Sequence, residues 1–189
     1  MSKDRVIIYE EAGADPQADV LVIDNEHGRT RVRAVPEPGQ LAGLVRQLAD
    51  EGADRFELCG GFGAVWQAEA RRVLGERAPV GAIYYGFESL ASIASYKARF
   101  EAGEVLAEAF LIVHEGADPG SDRVVRHRDE GGRTTLVAVP DLATAAEVAA
   151  EMAGGLQLIE LYGGRRPDDA EPVIRAAVDA GVPVGMSAF

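Results

Sequence analysis

A chain of 189 residues with a formal net charge of −12 suits one medium domain or two small ones, and 47% hydrophobic residues are enough to bury a core. The acidic balance excludes nucleic-acid and anionic-membrane surfaces, which need clustered Lys and Arg; no such stripe is present. A lone cysteine, Cys59, excludes an intrachain disulfide, no apolar run reaches membrane-span length, and residues 1–10 lack a signal-peptide core, so a cytoplasmic location is the expectation.

In chain order, residues 6–9 form a short β-prone run, stopped by the turn signal Gly13-Ala14-Asp15-Pro16. Runs at 20–23 and 31–35, separated by a polar segment containing Gly28, predict a hairpin; the alternative is a helix beginning at Pro16. Pro36-Glu37-Pro38 opens a helix in which Leu41, Leu44, Val45 and Leu48 recur at helical spacing, ended by Gly52. A strand at 55–59, a helix at 64–74 and a strand at 79–85 complete this set. Residues 87–104 predict an amphipathic linker helix, with Phe87, Leu90, Ile93, Ala94, Lys97 and Phe100 on one broad face.

The order then repeats: a strand at 109–113, a turn at 116–119, a hairpin from runs at 123–128 and 134–139, a helix at 142–153, a strand at 156–162, a helix at 168–180 and a strand at 182–188. Five blocks recur in one order: Gly-Ala-Asp-Pro, Gly-Arg-Thr, Ala-Val-Pro, Glu-Leu-x-Gly-Gly and Pro-Val-Gly. Such collinear recurrence marks an internal duplication. The expected architecture is α/β: two duplicated units, 1–86 and 105–189, with mixed, largely parallel sheets flanked by helices. The linker helix 87–104 joins them, and the units pack as a pseudo-symmetric pair. If helices replace the hairpins, a small closed βα barrel is the alternative.

The chemistry concentrates where a strand runs into glycines and then a helix. In the first unit this is Glu57-Leu58-Cys59-Gly60-Gly61-Phe62-Gly63, and in the second Glu160-Leu161-Tyr162-Gly163-Gly164-Arg165. Free backbone N–H groups at a helix start suit phosphate or carboxylate. The P-loop and dinucleotide patterns both fail, since no Lys-Ser or Lys-Thr follows and Trp66 stands where a third glycine belongs. The competing reading is that these glycines let strand and helix approach closely.

Glu57 and Glu160 each sit among apolar neighbours on a strand whose two faces should be covered, where a carboxylate needs a partner or a pocket. Either they are internal ion pairs, or they contact a ligand or act as a base. Cys59 precedes a helix start, which favours a thiolate; yet Tyr162 replaces it in the second unit, so a small buried thiol is the preferred reading. Arg165 and Arg166 could clamp an anion or simply form a solvated turn with Asp168 and Asp169. His27, His114 and His127 are too scattered for a metal site, and neither a metal nor a cofactor is expected.

At Glu57–Gly63 the sequence resembles an uncharacterised family of small bacterial and archaeal proteins, domain of unknown function 6506. The marks are Ala14-Asp15-Pro16, Glu57 through Gly63 and Pro79-Val80-Gly81 in the first unit. The second keeps Ala117-Asp118-Pro119, Glu160-Leu161, Gly163-Gly164 and Pro183-Val184-Gly185 but lacks the Cys and the Phe-Gly. The resemblance implies a fused tandem version of single-unit proteins and assigns no reaction. The functional expectation is therefore binding of a small anionic metabolite at the first turn. The alternatives are an enzyme using Glu57 as base or Cys59 as nucleophile, and a structural or regulatory interaction module. No nucleic-acid or membrane partner is expected, and the duplication either replaces an oligomer interface or adds to one.

Overall fold

The computed structural model describes residues 3–128 and 131–189. The first β-prone run becomes strand β1 (Asp4–Glu10), followed by β2 (Asp19–Asn25) and β3 (Gly28–Val35). β2 and β3 pair antiparallel, so the hairpin forms and no helix starts at Pro16. β1 lies parallel to β3 with Ile7 beside Val32. Helix α1 (Leu41–Asp50) buries the four residues its periodicity selects, Leu41, Leu44, Val45 and Leu48. Strand β4 (Arg55–Leu58) pairs parallel with β1, helix α2 (Gly63–Leu74) follows it, and strand β5 (Val80–Tyr85) pairs parallel with β4. The order within this first set is β2-β3-β1-β4-β5. In β4 Phe56, Glu57 and Leu58 are all buried, as a strand covered on both faces requires.

Helix α3 (Leu90–Glu101) then forms where the linker helix was expected, but none of its residues is buried. Phe87 just ahead of it is 90% exposed, and Leu90 and Phe100 are exposed too. An amphipathic pattern shows that a helix has an apolar face; it does not supply a surface to cover that face.

The second set comprises β6 (Ala107–Val113), β7 (Arg123–His127), β8 (Arg133–Val139), α4 (Leu142–Met152), β9 (Leu158–Tyr162), α5 (Glu171–Ala177) and β10 (Val184–Ala188). β7 and β8 form the expected hairpin, of which residues 129–130 lie outside the described residues. β6 is parallel to both β8 and β9, and β10 is parallel to β9. Asp141 caps α4 by accepting from the Thr144 N–H at 2.8 Å. The expected helix at 168–180 is broken into a 3-10 turn over Pro167–Ala170, the short α5 and a closing 3-10 turn over Val178–Ala180. Proline at 167 and at 172 suits successive helix starts better than one continuous helix.

Two compact units result: Met1–Ile83 with Ser187–Phe189, and Tyr84–Met186. In the second, Leu111, Val137, Val139, Ile159, Leu161 and Met186 line one sheet face and pack on α4 and α5 in a single apolar core. The opposite face of those strands carries Glu108, Phe110, Thr134, Glu160 and Tyr162, two positions apart along each strand.

Candidate functional site

In the first unit the Glu57 side chain is fully buried and is not a lone carboxylate. Arg5 Nη1 donates to its Oε1 at 3.3 Å and Arg55 Nε lies 3.2 Å from the same oxygen. Parallel register brings these groups together, since Arg5 lies beside Arg55 and Ile7 beside Glu57. Arg5 also donates to Thr30 Oγ1 at 3.1 and 3.2 Å. Burial pulls the Arg5 guanidinium below its ordinary value, with the Glu57 charge opposing that shift and the Arg55 charge adding to it. Glu57 is thereby an anchor for two guanidiniums, whatever else it meets.

Cys59 continues the strand, its N–H donating to Ile8 O at 3.0 Å, and it is buried at 6% exposure. Its carbonyl accepts the Phe62 N–H at 3.2 Å, closing a tight turn over Gly60 and Gly61. Phe62 is buried and has right-handed helical dihedrals, φ −75° and ψ −39°, while Gly63 follows at φ +59°. A right-handed residue followed by one at positive φ is the backbone pattern with which anion-binding concavities begin in many proteins, and here the Phe62 N–H is given to the Cys59 carbonyl. Gly63 is required here because side-chain-bearing residues seldom adopt that φ. No side chain caps α2 at Phe62, and its first turn holds no acid.

The corresponding turn of the second unit is built differently. The N–H groups of Arg165 and Arg166 both donate to Asp169 Oδ2, at 2.7 and 3.0 Å. Arg166 pairs with Asp168 in solvent through Nε and Nη2, each at 2.9 Å. A Cβ at Gly164 would stand 2.7 Å from Met186 Sδ, the end of a flexible side chain that would have to shift. A Cβ at Gly61 would meet nothing closer than Cys59 Sγ at 3.6 Å, an ordinary contact. The two glycines thus face different neighbours, a strand side chain at Gly164 and open surroundings at Gly61.

Glu160 accepts from Tyr85 Oη at 3.1 Å and from Tyr162 Oη at 2.5 Å, and the Tyr162 ring packs edge-on to Phe110 at 5.5 Å. At the register position that Arg5 holds in the first unit stands Glu108. It accepts from Tyr96, pairs with Arg128 at 2.7 Å and takes the Thr134 hydroxyl at 3.4 Å. Burial pushes the Tyr96 phenol far above its ordinary value, reinforced by the Glu108 charge, so this hydroxyl keeps its proton and donates. The two copies have thus kept the glutamate and changed its surroundings.

Residues that local sequence reading missed are Arg5, Arg55, Tyr85, Tyr96 and Glu108. The signal available for them was a charge or phenol at alternate positions of a strand or linker helix. Among the described residues no group of three or more His, Cys, Asp or Glu could hold a metal ion, and no helix is long and apolar enough to cross a membrane.

Among solved structures, the chain is similar to a conserved domain protein from Vibrio cholerae at 11% identity and a TM-score of 0.31, over 97% of this chain and 73% of that one. It is similar to an ABC domain in complex with L-Trp from Streptococcus pneumonia at 9% identity and 0.32, over 100% and 75%. A third is an ABC transporter periplasmic solute binding protein from Actinobacillus succinogenes with bound D-allose, at 10% identity and 0.32, over 95% and 73%. Likenesses at such scores carry no weight for fold or ligand. No curated protein matches the chain. The model of the Family of unknown function (DUF6506) matches residues 3–98 and again 106–189, and the chain belongs to that family.

Proposed function

We propose that this protein binds a small anionic metabolite, through a carboxylate or phosphate group, at the turn between β4 and α2 of the first unit. The observation that carries the reading is the contrast between the two turns. In the second unit an internal carboxylate, Asp169, takes the backbone donors. In the first, the turn Gly60–Gly63 leads into an uncapped twelve-residue helix with no acid in its first turn. The early N–H groups of a helix lack intrahelical acceptors, and the helix dipole favours a negative group there. Glu57 and Cys59 lie two apart on the strand leading in, on one face of it.

Binding is favoured over turnover. Glu57 is engaged by two arginines and Cys59 is buried, so neither is presented as an open base or nucleophile. The test is a thermal-shift panel of phosphorylated and carboxylated metabolites, followed by titration calorimetry of any hit. A ligand at a hundred times its Kd adds about 2.7 kcal/mol of stability. A hit that survives when the turn is blocked by Val65→Asp, or a blank panel, defeats the reading.

The interaction-module reading keeps one specific observation, the exposure of Phe87, Leu90, Phe100 and Val105 along and beside α3. Sedimentation of the protein against Phe87→Glu checks whether that face drives self-association; an unchanged distribution counts against it.

A further inference from the structure

The geometry points to a second oxyanion subsite in the first unit, on the sheet face that carries Glu57, with Ser187 as its contact. It lies within residues assigned to that unit and does not rest on the β4–α2 turn. Ser187 is 1% exposed, and its hydroxyl has no hydrogen-bond partner among the described residues. Buried hydroxyls are almost always paired, so an orphan calls for a reason.

The direction of that hydroxyl supplies one. Ser187 Oγ lies 2.9 Å from where a Cβ of Gly81 would stand. Gly81 registers with Glu57 across parallel strands, and registered residues present their side chains to one face. The orphan hydroxyl therefore flanks Gly81 on the Glu57 side. Arg55, two residues before Glu57, shares that face and lies under the Phe189 ring at 4.1 Å. The Phe189 ring also closes over Gly81, its Cζ 2.9 Å from the same Cβ position. Arg5 links Glu57 to Thr30 on the neighbouring strands.

Thr30, Arg5, Arg55, Glu57 and Ser187 thus form a strip of two guanidiniums, two hydroxyls and one carboxylate, with Phe189 as its cover. Guanidinium and hydroxyl donors together match a carboxylate or phosphate, which guanidinium forks recognise by geometry as well as charge. Phe189 is about half exposed, so it can swing off Arg55 to admit such a group and restore the cation–π contact when the group leaves. The ligand's oxygen then accepts the Ser187 proton that the protein leaves unmatched.

The experiment is calorimetric titration of the whole chain with malonate and with inorganic phosphate, using Ser187→Ala and Ser187→Cys. Both variants are expected to weaken at least one probe by fivefold or more while leaving the unliganded Tm equal or higher, since each removes an unsatisfied hydroxyl. Val65→Asp, which blocks the turn, is expected to leave this component in place, which separates the two sites. Phe189→Ala is expected to speed association at least threefold. Unchanged affinity in both Ser187 variants overturns the subsite, as does absence of binding by the unsubstituted protein. A soaked crystal with only water on Ser187 Oγ does the same.

Discussion

The Arg165 N–H donates to the Asp169 carboxylate at 2.7 Å, so the second unit carries its own anion on its turn, whereas the first turn of α2 in the first unit holds no acid. Asp169 takes the Arg166 N–H as well, satisfying two donors at the start of a helical segment. Asp169→Ala should therefore destabilise the protein by about 1 kcal/mol, in the range of other lost helix caps. Urea denaturation measures this as a lower midpoint at unchanged slope. A midpoint equal to that of the parent protein means the carboxylate is not acting as a cap.

Grafting that arrangement onto the first unit gives the complementary prediction. Val65 is the third residue of α2 and is 79% exposed, so a polar replacement there costs little packing. Val65→Asp places a carboxylate where it complements the helix dipole, worth about 0.3–1 kcal/mol, and where it competes for the turn's N–H groups. Stability should hold or rise while affinity for a ligand bound at the turn falls at least tenfold. Loss of both together would show only that the variant damages the fold.

Much of this was legible in sequence because it is local. The glycine turn at Glu57–Gly63, the α1 face of Leu41, Leu44, Val45 and Leu48, and the hairpin across Gly28 are each encoded within a few residues. The partners of Glu57 were not, because Arg5 reaches it from 52 residues away through strand register, which local periodicity does not carry. At Arg165-Arg166-x-Asp168-Asp169 the charges were visible, but not that Asp169 bonds backbone while Asp168 takes the guanidinium. Ser187 reads as an ordinary strand serine; its lack of a partner among the described residues exists only once the sheet is assembled.

The Glu57 cluster should be costly to break. Removing one member of a buried ion pair leaves the other uncompensated, typically at about 3–5 kcal/mol. Glu57→Gln leaves Arg5 buried against a neutral amide, and equilibrium denaturation should show a loss of that order. A loss under about 1 kcal/mol would mean water reaches the guanidinium. The same fragility makes Glu57→Gln a poor probe of ligand binding, which is why the binding tests use Val65 and Ser187.

In the second unit the corresponding experiment is on the donor. Tyr162 is fully buried and gives its hydroxyl proton to Glu160 at 2.5 Å. Tyr162→Phe keeps the ring and its edge-on contact with Phe110 but withdraws a hydrogen bond to a carboxylate, worth about 1.5–3 kcal/mol. The unfolding midpoint should fall accordingly, and Phe110 packing, followed by its ring NMR shifts, should persist. A variant as stable as the parent would show that other donors to Glu160 make up the loss.

The acid limb of stability has an identifiable contributor in Asp141. Its carboxylate accepts the Thr144 N–H at the start of α4, and that backbone bond, ahead of every other cause, holds it below its ordinary value. A carboxyl depressed in the folded state stabilises fully above its unfolded value, about 3.9, and that contribution is lost as pH falls through the lower folded value. Asp141→Asn keeps an acceptor at the cap but cannot titrate. The variant and the parent should therefore differ in stability near neutral pH and converge as the pH drops below the folded value. Urea midpoints collected from pH 7 down to about pH 2 test this. A gap between the two curves that stays constant across that range would mean Asp141 is bonded to Thr144 without any preference for its charged form.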